Sequence, residues 1–289
     1  MARTLKASEK RIMRTSAPFV SLRQPVKRRY GSKKPGSKAE LEFSSWLDSM
    51  IERNKIQDVR RKRAEYVKVY SRVHQLMPQM LNFVETIFSK VKSGELNGQL
   101  VFLGRGSHSF YRIAFMLAES YGIQRSAIKS LEAGRRLSIK VYEGKESRKQ
   151  LMDYLKHHGI DSRKPATFID TGVIGTVPAD FITLFEHEAP NTKVNGYMFY
   201  GRDVEKKGVG HYSPSNERPW FLNDFTEREV RSLIEELPKP ILTVKEIVEQ
   251  GSKVKPKRVR ASPEEVIGSL VVKRAIKDFM RYRRRSRLN

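Results

Sequence analysis

Cysteine is absent from all 289 residues, so the chain forms no disulfide, holds no metal through thiolates and has no cysteine nucleophile. That absence fits an intracellular protein. Acids are scarce: 32 Asp and Glu face 57 Lys and Arg, leaving a formal net charge of +25. No apolar run approaches the about 18 residues needed to cross a bilayer, so the sequence predicts a soluble chain without a transmembrane segment. Three motifs are also missing: H-E-x-x-H, G-x-x-x-x-G-K-[ST] and G-x-S-x-G. Their absence disfavours zinc-protease, P-loop and α/β-hydrolase chemistry. The six histidines are scattered and offer no metal-ligand spacing.

The positive charge is concentrated at the two ends. Residues 1–38 hold 12 Lys/Arg against a single acid, Glu9, and residues 251–289 hold 13 against three, Glu264, Glu265 and Asp278. These ends carry +11 and +10 of the total, which leaves only +4 for residues 39–250. Such basic extensions imply a polyanionic partner, with nucleic acid, DNA or RNA, first among the candidates. The densest runs name the contacts: Lys27, Arg28 and Arg29 in K-R-R-Y, Lys257 and Arg258 in K-P-K-R-V-R, and Arg283, Arg284 and Arg285 in R-Y-R-R-R-S-R. The Arg-, Lys- and Ser-rich start also has the composition of an organelle transit peptide, although Pro18, Pro25, Pro35 and Gly31 interrupt any amphipathic pattern.

Hydrophobic periodicity organises the middle. From Glu40 to about Val91, apolar residues recur every three or four positions, predicting two or three helices that Pro78 kinks or divides. The V-R-R-K-R run at 59–63 reads as a solvated helix face. Leu100 to Leu103 form a short apolar strand, followed by a G-R-G-S loop and a helix from Phe110 to Leu117 capped by Ser107 or Ser109. Leu137–Val141 reads as a strand, 146–157 as a helix, and Thr167 to Asp170 as a strand followed by a helix starting near Pro178. His157 and His158, adjacent on a helix, cannot face one another and make a poor metal pair. Tyr197 to Tyr200 reads as a strand, 203–222 as a long solvated loop, with His211 and Tyr212 overhanging a site as the alternative, 227–237 and 244–248 as helices, and 263–280 as a short helix able to dock.

Alternating strands and helices on this spacing predict an α/β fold: a Rossmann-like, mostly parallel sheet over 95–250, a helical segment over 39–94, and basic, partly disordered tails at 1–38 and 251–289. Two loops carry the chemistry. In the first, Arg105, Gly106 and Ser107 let backbone N–H groups approach an anion at a helix start, or form a plain structural turn. In the second, D-T-G-V-I-G-T, Asp170 at the carboxyl end of a strand is the candidate catalytic carboxylate and Mg²⁺ ligand, with Thr171, Gly172, Gly175 and Thr176 meeting a phosphate. A structural reading, in which Asp170 only braces its turn, stands beside it. Together the loops predict a phosphorylated small-molecule ligand.

The D-T-G-V-I-G-T stretch resembles the phosphoribosyl-pyrophosphate loop of type I phosphoribosyltransferases, with Thr171 where that family usually has a second acid. Over roughly 99–185 the order of segments is similar to haloacid-dehalogenase-like modules found beside polysaccharide-synthesis enzymes. The pieces are F-L-G-R-G-S at 102–107, S-L-E-A-G-R-R-L-S at 130–138 and F-I-D-T-G-V-I-G-T at 168–176. Gly106 stands where that pattern carries an acidic residue. The resemblance implies a phosphate-handling α/β fold, either a Mg²⁺-dependent phosphoester or phosphoribosyl-transfer enzyme or a non-enzymatic nucleic-acid-binding or packaging scaffold. D-T-G also resembles the aspartic-protease signature, which would imply two such aspartates sharing a proton across a homodimer.

Overall fold

A computed structural model of the chain describes residues 37–104, 106–133, 135–171, 176–198, 220–221, 244–250, 253–258 and 262–286. Two helices come first, α1 (Ser37–Arg53) and α2 (Val59–Lys92). The break between them falls at Lys55 (φ 50°) and Asp58 (φ 52°), whose left-handed backbones no right-handed helix continues through. Pro78, expected to kink or divide the segment, lies inside an unbroken α2. A proline inside a helix costs about 3 kcal/mol. Leu76, Met77, Met80 and Leu81 around it are all buried, at about 1.5–3 kcal/mol each, so packing outweighs the loss. The 59–63 run is a solvated face, as expected, with Arg61 and Lys62 paired to Glu65 and Arg63 to Asp48.

Five parallel strands form the sheet: β1 (Gln99–Leu103), β2 (Ile128–Leu131), β3 (Ala166–Asp170), β4 (Val194–Met198) and the two-residue β5 (Trp220–Phe221). Their order is β2-β1-β3-β4-β5, so the chain leaves β1 for one edge, returns past it to β3, and then moves the other way. The fold is Rossmann-like α/β. Helices α3 (His108–Leu117), the short α4 (Arg135–Ser138), α5 (Lys145–His157) and α6 (Thr176–Glu188) fill the connections.

Alternation along the strands divides the core. Leu100 and Phe102 of β1, Ile128, Ile169 and Tyr197 join the residues of α1, α2 and α3 on one face, while Val101, Leu103, Leu131, Ala166 and Phe168 pack under α5 and α6 on the other. β1 is therefore apolar at every position after Gln99, as a strand buried on both sides requires. Phe83 of α2 meets Phe110 of α3 edge-on at 5.2 Å and Tyr197 of β4 at 5.5 Å, so the N-terminal helical segment and the sheet share one core.

Three expectations change. Leu137–Val141 is not a strand: Leu137 and Val141 are buried but Ile139 is 53% exposed, which is the period of a helix, and the stretch runs through α4 into a 3₁₀ turn at Ile139–Tyr142. The strand position it was expected to fill belongs to β2. Residues 244–248 are not helical either. They lie in β6 (Val244–Gln250), paired antiparallel with β7 (Lys253–Arg258). A five-residue helix barely repays its nucleation, whereas Val244, Ile247 and Val248 favour an extended chain around a two-residue connection. The helix expected over 263–280 is longer, α7 (Pro263–Ser286), and it docks on α2 with Ile267, Val271, Val272, Ala275, Ile276 and Met280 buried. The C-terminal basic stretch thus supplies part of the core.

β4 begins three residues earlier than expected, and Trp220 and Phe221, placed in the 203–222 loop, are strand. Residues 1–36, Phe199, Tyr200, the rest of that loop with His211 and Tyr212, and the helix expected at 227–237 lie outside the described residues. Among the described residues no helix is long and apolar enough to cross a membrane.

Candidate functional site

The reversal of strand order places a crevice at the carboxyl ends of β1 and β3, where open parallel sheets bind ligands. The two loops singled out in the sequence leave the sheet there. After Leu103 the chain turns at Gly104 (φ +65°), whose N–H bonds Leu131 O at 2.8 Å. A Cβ at Gly104 would lie 2.6 Å from Ala133 O, so this turn excludes any side chain.

Ser107 then ties the loops together. It stands at the N-cap of α3 but its hydroxyl forms no cap bond, contrary to expectation, and Ser109 is already inside the helix. The hydroxyl points across the switch point. It donates to Asp170 Oδ1 at 3.3 Å and accepts the Thr171 N–H at 3.1 Å. Ser107 and Thr171 are both buried, and a buried N–H without an acceptor costs about 1–3 kcal/mol, more than an exposed helix start gains from a cap. The close approach needs Gly106: a Cβ there would meet Thr171 Oγ1 at 2.2 Å.

Asp170 is the last residue of β3 and half-buried at the rim. Thr176 opens α6, and Pro178 sits in its first turn, where a missing N–H has no intrahelical acceptor to lose. The structure thus brings together Gly106, Ser107, Asp170 and Thr171, residues 63 or 64 positions apart in pairs across the bonds. Arg105, Gly172 and Gly175 lie outside the described residues, and for Thr176 only the backbone is described. No group of three or more His, Asp or Glu side chains able to hold a metal occurs among the described residues, His157 and His158 included.

The basic candidates are dispersed. Lys27, Arg28 and Arg29 lie outside the described residues; Lys257 and Arg258 lie on β7 and Arg284 and Arg285 near the end of α7, described by backbone alone. Arg283, expected to face nucleic acid, turns inward. It is buried, and its Nη2 donates to Glu85 Oε1 at 2.6 Å, beside the Tyr121 hydroxyl at 2.7 Å from the same oxygen. A guanidinium one helical turn beyond Met280, where the apolar stripe ends, still follows that stripe inward when a carboxylate waits there.

One neighbour was not singled out in the sequence. His108, the first residue of α3, turns away from Asp170 toward β2. Arg112 Nε donates to His108 Nε2 at 3.0 Å, which places the ring proton on Nδ1, 3.4 Å from Ser130 Oγ. Burial, and then the nearby Arg112 and Lys273 cations, push this imidazole down to about 4, so it is neutral at pH 7. The signal in the sequence was the i, i+4 spacing of His108 and Arg112 directly after the G-R-G-S loop.

No model of a known protein family and no curated protein matches this chain. The sheet is parallel and covered by helices, so Asp170 does not sit in the all-β setting that the aspartic-protease signature requires.

Proposed function

We propose that the chain binds a phosphate-bearing small molecule at the β1/β3 switch point and that its basic ends hold it on nucleic acid. The bridge from Ser107 to Asp170 and Thr171 carries the reading. It joins a glycine-lined loop, the start of a ten-residue helix and a strand-end carboxylate in one crevice. A helix start offers unpaired N–H groups and a favourable dipole to an anion, and the loop without a side chain at Gly106 admits it closely.

One carboxylate suits a Mg²⁺ that keeps most of its waters and shares the ligand's phosphate oxygens; it does not suit a cation held by the protein alone. In that arrangement Asp170 anchors the ion and orients the phosphate. A transferase or phosphatase would need the ligand to supply the rest of the coordination. Gly106, where the dehalogenase-like pattern has an acid, supplies no second carboxylate, which favours binding over phosphoester hydrolysis.

Thermal unfolding of the full chain with inorganic phosphate, pyrophosphate, nucleotides, sugar phosphates and phosphoribosyl pyrophosphate, each with and without Mg²⁺, tests this. A ligand at 100 times its dissociation constant adds about 2.7 kcal/mol, read as a rise in melting temperature. That rise disappears in Asp170→Ala if the site is correct; a rise of equal size in the variant places the ligand elsewhere.

A further inference from the structure

The other flank of the α3 start holds a second group of side chains that the switch-point site does not use. Arg112 comes from α3 and Lys273 from α7, two helices that pack together on the same face of the sheet. Ser130 lies on that face of β2, two residues after Ile128. His108 links Arg112 to Ser130 through its two ring nitrogens.

The charges in this group do not balance. Among the described residues neither Arg112 nor Lys273 forms an ion pair with an acid, while Arg61, Arg63, Arg148, Arg274 and Arg283 all do. Arg112 spends its Nε proton on a neutral imidazole, and its remaining guanidinium N–H groups have no protein acceptor among the described residues. Both cations are half-buried. Burial lowers the affinity of each for its proton, and Arg112 further lowers that of Lys273, so the two lie close enough to repel. Two like charges drawn partly out of water, with a neutral histidine rather than a carboxylate beside them, destabilise the empty protein.

We propose that Arg112 and Lys273, with His108 and Ser130 beside them, form a second anion site that takes a phosphate group, separate from the switch point and independent of the function proposed there. The guanidinium offers a planar pair of donors to two phosphate oxygens, the ammonium a point charge, and the serine its own hydroxyl proton while its oxygen accepts from His108 Nδ1. An anion here also reverses the electrostatics at His108, favouring its protonated form. The phosphate can come from a small molecule or from the backbone of a nucleic acid, and the experiment separates the two.

The imidazole resonances of the six histidines are followed by ¹H–¹⁵N NMR in the full-length protein, with His108 identified by its loss in His108→Gln. Pyrophosphate, or a short single-stranded oligonucleotide at matched ionic strength, is the probe. The expected result is a saturable change at His108, with its titration midpoint moving up from about 4. Arg112→Gln and Lys273→Gln each weaken that response about tenfold or more, as loss of a charge-assisted hydrogen bond requires. Asp170→Ala leaves it unchanged, so failure of the switch-point site and failure of this one are told apart. Response to pyrophosphate assigns a small phosphorylated ligand; response to the oligonucleotide alone assigns a backbone phosphate, and the salt dependence of its affinity then falls by about 0.7 in slope per lost contact. Because Lys273→Gln removes a repelling charge and breaks no ion pair or hydrogen bond among the described residues, it unfolds at a denaturant concentration equal to or above that of the parent. Silence at His108 with both probes, or a response that persists in the Arg112→Gln/Lys273→Gln double variant, overturns the site.

Discussion

Replacing Ser107 by alanine separates two accounts of the switch point. In the structure the serine oxygen is the acceptor for the buried Thr171 N–H at 3.1 Å and a donor to Asp170 at 3.3 Å, and it caps nothing. Its removal leaves the Thr171 N–H unsatisfied, at about 1–3 kcal/mol. The Asp170 bond is long and reaches a half-exposed carboxylate that water can solvate, so it adds at most about 0.5 kcal/mol. The sum, about 2 kcal/mol, is measured as a lower urea midpoint with an unchanged slope. The size alone is ambiguous, because loss of an ordinary N-cap costs about 1 kcal/mol as well. A double-mutant cycle with Asp170→Ala resolves it. If the hydroxyl bridges the strands, the two substitutions couple by about 0.5 kcal/mol. Strict additivity would mean that Ser107 acts within its own helix start and that the loops are not joined as described.

Gly106→Ala forces a methyl against Thr171 Oγ1, on a stiff β-branched side chain, and should cost about 1–3 kcal/mol while weakening phosphate binding; a variant that keeps parental affinity in calorimetry refutes the role given to this close approach. Arg283→Met takes the guanidinium away from the half-buried Glu85, which keeps its bond from the Tyr121 hydroxyl, and should lower stability by about 2 kcal/mol in chemical denaturation, whereas a solvated nucleic-acid contact would lower it by almost nothing. His74 lies buried between Tyr70 and Phe279, and burial pushes its ring down to about 4, with Asp278 opposing. The unfolded chain, at the ordinary 6.5, takes up that proton first, so His74 weakens the fold progressively as pH falls from 6.5 and fully below about 4, by about 3 kcal/mol. The stability difference between parent and His74→Phe should follow that window, and a difference independent of pH would contradict the assignment. Removing residues 1–36, which hold 11 Lys/Arg, should flatten the salt dependence of single-stranded nucleic-acid binding by several units of slope, at about 0.7 per contact; an unaltered slope takes nucleic acid away from that stretch.

Local signals carried the centre of the sheet. L-V-F-L, the run into Asp170 and the apolar period of 110–117 each depend on residues within one element, and β1, β3 and α3 fall where they were expected. β2 escaped because its middle residues, Lys129 and Ser130, are polar and half-exposed at the sheet edge, so neither a continuous nor an alternating apolar pattern shows. The 137–141 stretch misled because Leu, Ile and Val two apart look like a strand face until the burial of only the outer two is seen. For the site, the composition of each loop was legible. Their meeting was not, since it depends on the order β2-β1-β3 and on a single hydroxyl reaching across two strands. The Arg112 and Lys273 pair is the extreme case: they stand 161 positions apart, and one belongs to a segment whose composition reads as a tail.

Backbone amide NMR of the full chain titrated with pyrophosphate and Mg²⁺ examines the switch point amide by amide. The largest saturable shifts should fall on Gly104, Gly106, Ser107 and Thr171, and should be lost in Asp170→Ala. Shifts that bypass these amides, or that survive the loss of the carboxylate unchanged, would contradict a phosphate site at the β1/β3 switch point.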